Sequence, residues 1–294
     1  MFKNLCISAL GISGRPSEII ELALSNGFRG IDIDIADMAE QVKTHGLPHA
    51  RRLLDSSRLK LTTFSLPVDW QVEEKDWPAE LARLSEYTEL AQQIGCTRAT
   101  VTIQPSSETR PYHENFEFHR KRFASLAAAL GERGMRLGVG MLAPTSLRAG
   151  HNFQFIQTVD VLVMLLSSVG AKNLGVLVDL FHWHLGGGTL EQLQSLPPEK
   201  IIKVIVSDVE PGATAEDATE AARHLPGETG VVDAAAVLKV LAEIKYDGPV
   251  TPKADKSRLA GLSRDVCARR AAASLDELWK AAGLHTPRLS AAHR

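Results

Sequence analysis

The sequence predicts a single α/β domain built as a (β/α)8 barrel, on two periodicities and one absence. Eight short apolar or β-branched runs of strand length recur along the chain, and segments with helical spacing lie between them. No linker or low-complexity stretch breaks that alternation into two units. An open doubly wound sheet is the competing arrangement, but the first turn, GISGRP, lacks the Gly-x-Gly-x-x-Gly pattern of dinucleotide-binding sheets. Strands apolar on both faces and separated by helices favour a closed parallel sheet. A length of 294 residues suits one such barrel, for which about 250 is typical.

The expected strands are NLCISA (4–9), GIDID (30–34), LKLTTFS (59–65), RATVTI (98–103), RLGVGML (136–142), LGVLVD (174–179), IIKVIVSD (201–208) and GPVTP (248–252). Helical stripes follow at Leu81, Leu84, Leu90 and Ile94, at Phe116, Phe123, Leu126 and Leu130, and at Phe153, Ile156, Val163 and Leu166. Asp233 is placed to cap a helix through Val237, Leu238, Leu241 and Ile244, which ends before the turn YDG. The last helix carries Leu262, Val266, Leu275, Leu278 and Trp279, and weaker helical segments fill 17–26, 46–56 and 189–195. Two polar loops, 104–114 and 208–232, are long enough to act as lids or binding loops. The barrel is expected over residues 1–284, with 285–294 a disordered tail.

A composition of 44% hydrophobic and 23% charged residues is that of a globular protein, and the net charge of −2 gives no electrostatic footprint for nucleic acid. No run reaches the roughly 18 apolar residues of a membrane span, and the N-terminus has no signal-like region, so no membrane partner and a cytoplasmic location are expected. Cys6, Cys96 and Cys267 are odd in number and far apart, and read as small buried hydrophobes.

In a barrel, the residues at the carboxyl ends of the strands build the site. The sixth strand ends VDLFHWHLGGG, which presents Asp179, His182 and His184. An unpaired buried carboxylate is costly, so Asp179 calls for a cation. Together with GFRGIDID on the second strand, VSD on the seventh, LPGETGVVD in the following loop and YDGPVTP entering the eighth, this segment resembles the sugar phosphate isomerase/epimerase family, the xylose-isomerase-like TIM barrels. The resemblance spans residues 3–280. It implies isomerisation or epimerisation of a small carbohydrate at the barrel mouth and frequent homo-oligomers. It also implies one divalent ion (manganese, magnesium or zinc), held by glutamates ending strands five and eight, an aspartate ending strand six and a histidine on strand seven.

Carried onto this sequence, the aspartate falls on Asp179 and the accompanying substrate-contacting histidine on His182, whereas the other three ligand positions hold Gly140, Ile205 and Lys253. Neighbouring Met141, Val204, Val206, Pro252 and Ala254 offer no donor either, and the nearest carboxylates are Asp208 and Asp255. A hard divalent cation needs several donors, so no tightly bound cofactor is expected. Lys253 is expected to pair with Asp179 and replace the charge of the ion.

Three readings stay open: a divergent enzyme using Lys253, Asp179, His182 and Asp208; a non-catalytic sugar-binding or regulatory relative filled by the Lys253–Asp179 pair; and ordinary metal-dependent activity through His184 and Asp208. Asp32, Gln104 and His184 are candidate substrate contacts. Of Asp32 and Asp34, strand alternation lets only one face the mouth. Trp70, Trp77 and Trp183 are expected to be packing residues before sugar platforms, and Arg110, His113 and His119 make only a weak phosphate site. The related abasic-site nucleases need three zinc ions and a basic face that this chain lacks.

Overall fold

Eight parallel strands close into a barrel in the computed structural model, which describes residues 1–285. They are β1 Phe2–Leu5, β2 Gly30–Ile31, β3 in two pieces (Lys60–Leu61 and Phe64–Ser65), β4 Arg98–Thr102, β5 Arg136–Gly140, β6 Leu174–Asp179, β7 Ile201–Val206 and β8 Pro249–Pro252. β8 returns to β1 through the pairs Phe2 with Pro249 and Lys3 with Val250. Closure runs through β3, whose first piece pairs with β2 and whose second pairs with β4. Apart from His285, the tail expected over 285–294 lies outside the described residues.

The helices are α1 Pro16–Ser25, α2 Ile35–His45, α3 Leu47–Ser57, α4 Trp77–Gln93, α5 Tyr112–Gly131, α6 Val159–Val169, α7 Leu180–Leu185, α8 Leu190–Ser195, α9 Ala234–Glu243 and α10 Arg264–Ala281. Their apolar stripes bury Leu84, Phe123, Leu126, Leu130, Leu165, Leu238, Leu241 and Leu275 against the strands. The stripe from Phe153 to Leu166 becomes helix only at Val159. Phe153–Gln154 pairs antiparallel with Ser106–Ser107, and the Phe155 N–H donates to the Pro105 carbonyl at 2.7 Å, holding that segment extended. α2 escapes the periodicity because it buries only Ile35 and Met38, and α7 because six residues cannot show a period.

Three irregularities shape the barrel interior. The break in β3 falls on Thr62 and Thr63, both buried. A bulge in β7 between Ile201 and Lys203 shifts the register against β6, so that Lys203 aligns with inward-facing Leu177. Glycines on β2, β5 and β6 leave room for larger neighbours: a Cβ on Gly30 would stand 2.5 Å from Thr62 and one on Gly138 2.9 Å from Ile202. A Cβ on Gly175 would stand 2.2 Å from the Lys200 carbonyl oxygen, a backbone atom that cannot rotate away. The variant Gly175→Ala is therefore expected to lower stability by about 2 kcal/mol or more, read as a shifted urea midpoint with the far-UV spectrum unchanged.

Candidate active site

The carboxyl ends of the strands open into a cavity of about 780 Å³, within the size range of small-molecule sites. Its wall carries Asp32, Lys203 and Lys253 among apolar groups, with hydroxyls from Ser8, Ser65 and Thr102. The floor is a buried ion pair, Lys203 with Asp32. Asp32 Oδ1 accepts from Asn4 Nδ2 at 2.8 Å and from the Thr62 and Thr63 hydroxyls at 2.6 Å each, and Lys203 Nζ also donates to Thr63 Oγ1 at 3.1 Å. Burial alone would raise the Asp32 pKa, but the Lys203 ammonium and the two threonine hydroxyls hold it below the usual carboxylate range. Burial alone would lower the Lys203 pKa, and the Asp32 carboxylate outweighs that effect, so the amine stays protonated.

A second charged cluster flanks the mouth. Arg223, fully buried, donates from Nη1 to Asp179 Oδ1 at 2.6 Å and to Ser207 Oγ at 3.0 Å. Its Nε and Nη2 donate to Glu220 at 2.9 and 3.0 Å, and its guanidinium stacks 4.2 Å from the Phe181 ring. Asp179 also caps α7, accepting from the Phe181 N–H at 3.1 Å. Burial would raise its pKa, but Arg223 first and then His182 and Lys253 hold the carboxyl well below the usual range.

The expected pairing of Lys253 with Asp179 is not what the structure forms. Arg223 takes Asp179, because its planar fork reaches Asp179, Ser207 and Glu220 at once, while Lys253 Nζ lies 3.4 Å from Glu220. Gly140, at the expected strand-five ligand position, has little room for a side chain: a Cβ there would stand 3.1 Å from a terminal methyl of Leu177, which would have to give way by a few tenths of an ångström. Ile205 and Lys253 line the cavity, whereas Asp179 is not part of its wall.

His182 is buried, with Nδ1 accepting from the Ala143 N–H at 3.4 Å and Nε2 at 3.2 Å from Arg223 and 3.5 Å from Glu220. Burial pulls its pKa down to about 4, so the imidazole is neutral at pH 7. Asp208 is drawn into a turn-closing role: its carboxylate accepts from the N–H groups of Val209, Thr229, Gly230 and Val232 at 2.7–3.0 Å, fixing the LPGETGVVD segment. His184 is exposed on α7, and Gln104 lines a separate cleft beside Arg110 and His151. Asp255 caps the short turn at Lys256–Leu259.

Both Asp32 and Asp34 reach the cavity wall, because β2 stops at Ile31 and Asp34 turns aside to cap α2. Cys6 lines the cavity half-buried instead of packing as a hydrophobe; burial raises its pKa and keeps the thiol neutral. Trp70, Trp77 and Trp183 are buried, as expected of packing residues. Lys203, Arg223 and Glu220 escape a reading confined to strand ends. Lys203 carries the one readable signal, a lysine inside the apolar run IIKVIV.

The description xylose isomerase-like TIM barrel belongs to a family model that matches residues 20–281. The chain belongs to that family. It is similar to the inosose isomerase of Bacillus velezensis, 23% identical over 234 residues, 79% of this chain and 80% of that protein. A xylose isomerase domain protein from Alicyclobacillus acidocaldarius is similar with a TM-score of 0.86 and 26% identity, over 96% of this chain and 99% of that one. The D-psicose 3-epimerase of Clostridium cellulolyticum H10, solved with D-tagatose, shares the fold with a TM-score of 0.71 and 13% identity, over 96% of this chain and 99% of that one. The sugar isomerase/epimerase likeness read from the motifs thus agrees with the family, and no described helix is long and apolar enough to cross a membrane.

Two outcomes follow from these contacts. Removing the guanidinium in Arg223→Met leaves Asp179 buried without its cation and is expected to lower stability by about 3–5 kcal/mol, measured by urea unfolding. His119 and His182 are both held near pKa about 4 by burial, from an ordinary 6.5, so the unfolded chain binds more protons than the fold between those values. Stability is then complete above pH 6.5 and declines as pH falls toward 4, by about 2 kcal/mol per imidazole at pH 5, and a denaturant series from pH 7.5 to 5 reads it.

Proposed function

We propose that this chain is a cytoplasmic protein of carbohydrate metabolism that takes a small polyhydroxylated carbonyl compound into the barrel mouth. It acts there as an isomerase or epimerase with protein-borne cations in place of a tightly held divalent ion. The observation that carries this reading is the Arg223–Asp179 contact, a guanidinium on the one family ligand position that the sequence retains. The substrate class rests on the family, on the likeness to a protein named inosose isomerase and to the fold of a D-psicose 3-epimerase, and on the hydroxyl-bearing wall of the cavity.

The donor set does not fit a manganese, magnesium or zinc ion. Among the described residues, no three His, Cys, Asp or Glu side chains converge on a common point. Gly140 and Ile205 supply no donor, and Asp179 Oδ1 is occupied by Arg223.

The residues present can bind and orient instead. Ser8, Ser65 and Thr102 offer donors and acceptors to substrate hydroxyls, and the Lys253 ammonium, at the cavity wall and 3.4 Å from Glu220, is placed to hold negative charge that builds on a substrate oxygen. His182, neutral with Nδ1 accepting from the Ala143 N–H, carries its proton on Nε2, which lies 3.5 Å from the Glu220 carboxylate.

A second reading, ligand binding without turnover, is favoured by one observation: both oxygens of the Asp208 carboxylate are taken by fixed backbone donors, which leaves it no free lone pair to carry a proton. Metal content and solvent exchange separate the readings. The purified protein is expected to hold far less than one divalent ion per chain by elemental analysis and, in deuterated buffer, to place deuterium on the carbon next to the carbonyl of D-tagatose or D-fructose. One tightly bound ion per chain would overturn the cation-replacement reading. Binding of a ketose without deuterium uptake would select the non-catalytic one.

A further inference from the structure

The Lys203–Asp32 pair at the cavity floor is built at a structural cost that folding alone does not explain. Burying an ion pair is weak evidence of stabilisation, since apolar side chains of similar volume commonly do as well. Here three separate departures from regular structure meet on it. The β7 bulge sets Lys203 inward, the break in β3 brings two consecutive threonine hydroxyls onto one carboxylate oxygen, and Gly30 clears the space beside Thr62 and Asn4. Bulges concentrate beside active sites, where they re-aim a side chain.

The donors can be counted. An ammonium has three N–H groups, and among the described residues Lys203 Nζ has two side-chain acceptors, Asp32 and Thr63. Lys203 lines the cavity, so one N–H remains for a ligand. The charges can be counted as well. Asp32 and Asp34 face Lys203 and Lys253 across the same cavity wall, two of each sign, so the cavity has no net charge to attract an anion. A carboxylate or phosphate brought to Lys203 would also meet Asp32 directly. A neutral oxygen with a concentrated lone-pair charge fits, and a carbonyl supplies it.

We propose that the Lys203 ammonium, clamped by Asp32 and Thr63, is the binding and polarising group that receives the carbonyl oxygen of a neutral polyhydroxylated ligand at the cavity floor. Because the amine is held protonated by Asp32, it acts as a hydrogen-bond donor and not as a Schiff-base nucleophile. This assignment rests on the carbohydrate reading above and names the atom that selects within that class.

The test is calorimetric binding of D-tagatose, D-fructose and D-psicose, each beside its alditol, which lacks the carbonyl, with D-galactonate as an anionic probe. Wild type is expected to prefer ketose over alditol by about tenfold or more, the worth of one charge-assisted hydrogen bond, and to bind D-galactonate weakly. The double variant Asp32→Asn/Lys203→Met removes both charges together, so neither is left buried alone. It is expected to keep a cooperative melt and to bind ketose and alditol alike. That ratio is insensitive to the fraction folded, and Lys203→Arg, which keeps a donor, is expected to restore part of the preference. Survival of the ketose preference in the double variant would overturn the Lys203 assignment alone, as would D-galactonate binding to wild type more tightly than any ketose. Failure of wild type to bind every ketose would overturn the carbohydrate reading and this assignment together.

Discussion

The architecture of the mouth depends on one contact, the guanidinium of Arg223 against the carboxylate of Asp179, with both groups buried. A carboxylate closing an apolar strand cannot remain ionised in a low-dielectric interior without a counter-charge. Once Arg223 supplies that charge, its remaining N–H groups must also be satisfied, and Ser207 and Glu220 are drawn around it. Glu220 in turn holds Lys253. The side-chain positions on this flank of the barrel thus descend from a single electrostatic requirement.

The cavity floor obeys the same rule with different residues. Asp32 is neutralised by Lys203, and its other oxygen takes three neutral donors. The two couples are separate in connectivity and differ in geometry: a bidentate-capable fork sits where several partners must be gathered, and a compact ammonium sits where a donor remains for a ligand. The cavity above Lys203 and Asp32 is lined by both apolar side chains and hydroxyls, a surface suited to a ligand bearing C–H and O–H groups.

The architecture was legible because its signal is repetitive: eight apolar runs spaced by helical stripes admit few other closures, and each run overlaps a strand, although 4–9 runs past β1 into the 3-10 turn Ser8–Leu10 and 30–34 runs past the end of β2. The helix α2 and the start of α6 were less legible, since a thin apolar face and a tertiary β-pairing each override local pattern. For the site, alignment to strand ends pointed to Asp179, Asp32 and Lys253, of which Asp32 and Lys253 line the cavity, and it gave Asp179 the wrong counter-ion. Arg223 lies 44 residues beyond Asp179, within a polar excursion, and nothing in local spacing tells which of its charged residues folds inward. Lys203 was visible as a break in an apolar strand, yet its inward direction depends on a bulge, and strict alternation cannot anticipate a bulge.

Asp208 at the start of the 208–232 excursion and Arg223 within it commit the segment to the barrel. The Asp208 carboxylate gathers four backbone N–H groups, three of them from residues 229–232, and Arg223 reaches the interior from between. Surface excursions are ordinarily where a lineage adds or deletes residues freely. This one is not so permissive, because a change in its length would pull a charge out of the protein's centre. The other long connection, at 104–111, carries no such tie, because its side chains make no bond to either buried ion pair and its length can change without moving a buried charge.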